Sequence, residues 1–137
     1  MGIFDFLKPS KNIENDNGLN EFYFDKGKGN LNLRFHKKNG KIDGLFEIYT
    51  LNGITAWLIA NFKGGELHGE CKEWSPTGGC FRTIEKWENG KLKSWEAYFT
   101  GWSKRGQLAN KGDGNSEYTS YLKEDIERYL KKYSIKN

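Results

Sequence analysis

Gly40, Gly65 and Gly90 stand 25 residues apart, and the chain around them keeps that step. Lys41-Ile42-Asp43-Gly44 becomes Glu66-Leu67-His68-Gly69 and then Lys91-Leu92-Lys93-Ser94. An aromatic falls nine residues after each glycine, at Tyr49, Trp74 and Phe99, while Phe62 and Trp87 each stand three residues before the next glycine. A fixed period means that one supersecondary unit is stacked on copies of itself. A unit of 25 residues is too short for two parallel strands and the crossover between them. It fits two strands of about seven residues and two tight turns. Asn52-Gly53, Lys63-Gly64-Gly65, Pro76-Thr77-Gly78-Gly79 and Asn89-Gly90 supply the turn chemistry at the required places. Between them, Leu45–Leu51, Ile54–Phe62, Gly69–Ser75, Cys80–Glu88 and Leu92–Thr100 are rich in Ile, Trp, Tyr, Phe and Thr, with charges interleaved. Such runs suit a pleated, half-buried surface. The expected fold is mainly β: an antiparallel meander with one hairpin per repeat.

Gly40-Lys41-Ile42-Asp43-Gly44 followed by Tyr49, then Asn52-Gly53, then Phe62-Lys63-Gly64-Gly65-Glu66-Leu67-His68-Gly69, resembles the MORN-repeat variant found in many bacterial proteins. The match runs over Gly40–Phe99. Upstream, Asn17-Gly18-Leu19 with Tyr23-Phe24, and Asn30–Gly40, read as a degenerate repeat with altered spacing. The third repeat departs as well: Ser94 replaces its second glycine, and Gly101–Gly106 has no counterpart in the other two. The resemblance implies a twisted open sheet. It also implies a binding role of the antitoxin or immunity type, in which a small protein neutralises a partner toxin. MORN repeats in general imply a scaffold or phospholipid-associated role instead. One fold hosts many functions, so the residues must choose.

Beyond the repeats the period changes. Tyr118, Leu122, Ile126, Tyr129, Leu130 and Tyr133 recur at helical steps. Asn115 or Ser116 is the expected cap, and acidic residues lead basic ones along the segment, as the helix dipole favours. This helix is expected to cover one face or end of the sheet. At the other terminus, Ile3, Phe4, Phe6 and Leu7 form a short apolar segment expected to dock on the domain, with a membrane-surface anchor or partner-binding peptide as the alternative. Ser10–Asn17 reads as a linker. The expected organisation is a single compact domain: residues 1–14 as N-terminal segment and linker, 15–112 as repeat sheet, and 113–137 as helix.

The 22 basic and 18 acidic residues are intermixed, for a net charge of +4, which reads as a solvated surface before a nucleic-acid face. No apolar run is long enough for a membrane span. The start of the chain lacks a basic n-region, so a cytoplasmic protein with reduced thiols is expected. His36 and His68 lack a second histidine at metal-binding spacing, and Cys71 and Cys80 are too far apart for a Cys-x-x-Cys site. No metal, no cofactor and no enzymatic activity are expected. Asp43, His68 and Lys93 share one repeat position and should line a turn edge roughly 9.5 Å apart, too far for direct bonding. Lys41, Glu66 and Lys91 form a second row of alternating sign. The repeat does not impose Trp57, Trp95 and Trp102. With Lys91, Lys93, Lys104 and Arg105 they are the candidate residues for binding a protein partner, since Trp and Arg are over-represented among interface anchors.

Overall fold

Asn39-Gly40, Gly64-Gly65 and Asn89-Gly90 each take positive φ at both residues. That is the backbone of a two-residue hairpin turn, which Gly and Asn adopt at least cost. The computed structural model describes residues 12–137. Among the described residues, nine strands form one antiparallel sheet: β1 (Gly18–Tyr23), β2 (Leu31–Lys38), β3 (Lys41–Tyr49), β4 (Ala56–Lys63), β5 (Glu66–Leu67), β6 (Gly69–Trp74), β7 (Phe81–Glu88), β8 (Lys91–Tyr98) and β9 (Leu108–Asp113). Sequence order is sheet order, with the two-residue β5 pairing with β4 just ahead of β6. The C-terminal helix, α1 (Tyr121–Lys132), follows the sheet. The expected meander and C-terminal helix are both present. β1 and β2 complete the upstream repeat, and β9 is a strand that the sequence pattern did not suggest.

The repeat differs from the sequence reading at one register. Pairing shifts at Phe22/Tyr23, Ile48/Tyr49, Glu73/Trp74 and Ala97/Tyr98. The equivalent aromatics are therefore Tyr23, Tyr49, Trp74 and Tyr98. Phe99 instead stands with Thr50 and Ser75: its N–H bonds Gln107 O at 2.9 Å, as Thr50 N bonds Thr55 O and Ser75 N bonds Cys80 O, both at 2.9 Å. The cause is a shortened bulge. Asp43, Gly44 and Leu45 together oppose His36, whereas only Lys93 and Ser94 oppose Lys86. The dropped residue is the one that needs positive φ, as at Gly44 (94°) and Gly69 (99°). Ser94 therefore replaces glycine without backbone strain.

Consecutive repeats are tied at their turns. The N–H groups of Gly40, Gly65 and Gly90 donate to Asp16 O, Ile42 O and Leu67 O at 2.9, 2.8 and 2.9 Å. Asn17 Oδ1, Asp43 Oδ1 and His68 Nδ1 each accept from the next turn, from Asn39 N, Gly64 N and Asn89 N at 2.9, 3.1 and 3.2 Å. Asp43 and His68 thus bind turns rather than one another.

On one face, Phe22, Leu33, Ile48 and Leu58 pair in a row, with Phe35 and Phe46 in the next, all buried. α1 lies on this face, burying Leu122 and Ile126. Its Tyr129 packs edge-on to Trp57 at 5.9 Å, and Tyr133, just past its end, packs on Phe22 at 5.0 Å. Ser120 is the cap, its Oγ accepting from Lys123 N at 3.0 Å. Asn115 and Ser116 do not cap α1. Ser116 Oγ accepts from Asp113 N at 3.1 Å, closing the turn after β9. Tyr118 precedes the helix and stacks on Trp95, rings 4.1 Å apart. The described part of the expected linker is fixed to the sheet instead. Tyr23 N donates to Asn12 Oδ1 at 2.5 Å, Asn15 N donates to Asn20 Oδ1 at 2.6 Å, and Glu14 pairs with buried Lys37. The Ile3–Leu7 segment lies outside the described residues.

Candidate functional site

The short turns gather at one end of the sheet, and the longer loops after β3, β6 and β8 gather at the other. Each loop is closed by the backbone bond at Thr50, Ser75 or Phe99, and by a glycine N–H donated back to that residue's carbonyl, from Gly53, Gly78 and Gly106 at 2.9, 2.8 and 2.8 Å. Alternate loops sit two strands apart, about 10 Å. The first is rigidified by Asn52, whose Oδ1 accepts from Ile54 N at 2.7 Å and Thr55 N at 2.9 Å. Rigid loops then hold apolar side chains in water: Leu51 is 77% exposed, Ile54 82% and Trp102 98%. Phe99 and Leu108, which flank the Trp102 loop, are exposed as well. Leu51 and Ile54 stand on the first of these loops and Trp102 on the third, about 20 Å apart; single exposed apolar side chains are ordinary, and a contiguous exposed patch is what marks an interaction surface.

Behind this end, between the loops and α1, lies a groove of about 1020 Å³. Trp57, Trp74, Tyr49 and Tyr129 give it aromatic walls, and Glu73, Arg82, Asp125 and Arg128 give it charge. The sheet face turns polar here. One period on from Ile48, Leu58 and Ala60 stand Glu73, Thr83 and Glu85, all buried. Burying a carboxylate is costly unless it is paired or protonated, and the two glutamates meet this differently. Glu85 accepts from Trp87 Nε1 at 2.9 Å, Ser120 Oγ at 2.7 Å and Tyr118 OH at 2.5 Å. Burial and the adjacent Glu85 push the Tyr118 hydroxyl up. Glu73 Oε1 has a 3.5 Å contact from Arg82, no donor reaches Oε2, and the carboxyl lies in side-chain contact with that of Asp125. Burial first, and the Asp125 carboxylate second, push Glu73 up to about 8.

The seven residues singled out from sequence do not form one patch. Lys91 and Lys93 are exposed at the short-turn end, Lys93 3.7 Å from Glu88. Trp102, Lys104 and Arg105 lie beyond the far end of β8, eight residues long and so about 25 Å away. Lys104 Nζ sits 5.3 Å from the Phe99 ring, and Arg105 Nη1 donates to Thr100 O at 2.5 Å. Trp95 is not a surface anchor: it is 6% exposed, enclosed by Tyr118 and by Gly112. Trp57 is half-buried and lines the groove. Sequence reasoning missed Glu73, Arg82, Asp125 and Arg128. The available signal was Glu73 standing one repeat after buried Ile48, a carboxylate at a core register.

Cys71 is buried, Cys80 is half-buried, and both are free thiols. They lie at different heights, because Ser75 pairs with Cys80 four residues along the strand from Cys71, about 13 Å. That separation exceeds the reach of a disulfide. Among the described residues, no group of three His, Cys, Asp or Glu side chains is placed to hold a metal ion, and no helix is long and apolar enough to cross a membrane. No family model, no curated protein and no solved structure matches this chain.

Proposed function

We propose that the chain is a non-enzymatic protein-binding module whose interface is the loop end of the sheet. We propose further that it is of the antitoxin or immunity type its MORN-like repeats suggest, binding and neutralising a partner toxin in the cytoplasm. The supporting observation is the exposure of Leu51 and Ile54 on a hydrogen-bonded loop that borders an aromatic groove, and of Trp102 on the loop after β8 at the same end of the sheet. Preorganised apolar anchors bind without a large ordering cost, which is the property that gives a small surface high affinity. The titratable candidates have structural duties: His68 holds a turn, Cys71 is sealed in the core, and Glu85 anchors the segment before α1.

The test is a tagged pull-down from the native cells at low and high salt, repeated with Leu51→Asp, Ile54→Asp and Trp102→Ala. One stoichiometric protein that survives high salt and is lost in the loop variants, and whose activity the wild-type chain inhibits, supports the reading. Recovery of only lipid or nucleic acid, lost as salt rises, overturns it, because binding driven by counterion release weakens with salt.

A further inference from the structure

The inner wall of the groove carries two neighbouring carboxyl groups, those of Glu73 and Asp125. Glu73 projects from β6 and is 1% exposed. The charged groups facing it are Arg82 and Glu85 from β7 and Asp125 with Arg128 from α1. Glu85 is held by three donors, two on Oε1 and one on Oε2. Arg82 approaches Oε1 only at 3.5 Å, and its guanidinium is stacked 4.9 Å from the Tyr121 ring. Arg128, mostly exposed, reaches Asp125 Oδ1 at 2.9 Å. Glu73 Oε2 is therefore a buried oxygen that neither arginine reaches, its carboxyl in contact with that of Asp125. Trp57 and Tyr129 line the same groove, and the π-face of an aromatic ring attracts cations.

We propose that this inner end receives one basic side chain, lysine or arginine, of the protein partner, its cation set between the Glu73 and Asp125 carboxyl groups. The inference rests on the protein-binding reading above. On entry the Glu73 O–H bond breaks, the proton passes to solvent, and two carboxylates face one cation. Arg128 gives way readily, because exposed ion pairs are weak. An anion has no such place: it meets two carboxyl groups at the inner wall, while both arginines are already engaged by Glu73, Asp125 and Tyr121.

Proton displacement gives the site a pH signature. The affinity for a cation rises about tenfold per pH unit while Glu73 is protonated, and levels off above its raised titration point. The experiment titrates the full chain with N-acetyl-L-arginine amide and follows the Trp57 indole signal by NMR from about pH 6 to about pH 9. N-acetyl-L-glutamate amide is the control. The expected result is saturable shifts with the arginine probe alone, tightening with pH, and loss of that pH dependence in Glu73→Gln. Asp125→Asn, at a partly exposed position on α1, weakens binding without disturbing the core, and near-UV circular dichroism checks the fold of both variants. PH-independent binding, no saturable shift, or equal shifts with the glutamate probe overturns the proposal. The two readings fail separately. A partner captured through Leu51 and Trp102 but indifferent to Glu73→Gln removes the cation pocket alone. Probe binding with no protein partner leaves a cation site and removes the protein-binding reading.

Discussion

Glu73 and Cys71 sit two residues apart on one strand, and burial pushes the titration of each upward. The Cys71 thiol is pushed up to about 12, by burial first and by Glu85 and Glu70 after it. Its reactive thiolate is thus both scarce and sealed. A thiol reagent is expected to label half-buried Cys80 in the native protein and Cys71 only after unfolding, read as one fast and one unfolding-limited phase by mass. Equal native rates would contradict the placement of β6. Glu73 predicts a pH dependence whose sign follows from its raised value. The folded state holds the proton more tightly than the unfolded chain. The stability this contributes is complete below about pH 4.5 and is lost as pH rises through about 8. In urea titrations across that window, Glu73→Gln is expected to lose less stability than wild type, because the amide stays neutral. An unchanged slope would mean that Glu73 is ionised when folded.

Among the strands, β9 is the one that its own residues favour least. Leu-Ala-Asn-Lys-Gly-Asp has neither β-branched nor aromatic residues, so its own propensity does not make it a strand. Pairing with β8 does, helped by Trp95, whose indole lies across Gly112. A Cβ at Gly112 would meet the Trp95 ring at 2.8 Å. Gly112→Ala is expected to cost about 1–3 kcal/mol by overpacking, measured as a lower urea midpoint with weakened near-UV dichroism from the Trp95–Tyr118 stack. The same contrast separates what was legible in the sequence from what was not. The turns at Gly40, Gly65 and Gly90 were legible because positive φ leaves few residue choices. The α1 stripe was legible because Leu122 and Ile126 keep a helical step. Phe99 was misplaced because counting residues cannot see a bulge lose one. Trp95 was taken for a surface anchor because its cover, Tyr118, arrives from a distant segment. The groove was missed because two of its four charges come from the helix and two from the sheet. Only Glu73, one period after Ile48, carried a local sign of it.

At the scale of the molecule, hairpins in a row make a quasi-one-dimensional protein, in which each repeat contacts its neighbours and fraying is local. The helix changes that. From its start to the chain beyond its end, it meets β7 through Arg82 over Tyr121, β6 through Asp125 beside Glu73, β4 through Trp57 on Tyr129, and β1 and β2 through Tyr133 with Phe22 and Asn32. Beyond it, Asn137 Oδ1 accepts from Ile42 N at 2.9 Å and its Nδ2 donates to Gly65 O at 2.7 Å. One segment thus spans strands from β1 to β7, so their free energies are joined rather than summed. Ile126 is buried at the middle of that span. Ile126→Ala leaves a cavity worth about 2–5 kcal/mol. If the helix couples the repeats, native-state hydrogen exchange is expected to lose protection by a similar factor in β2, β4 and β7, with a single unfolding transition retained. Protection lost only beside Ile126, with β2 unchanged, would show that the repeats open independently. The loop end would then be held by its own hairpins, and a partner bound there would stabilise those hairpins alone rather than the whole sheet.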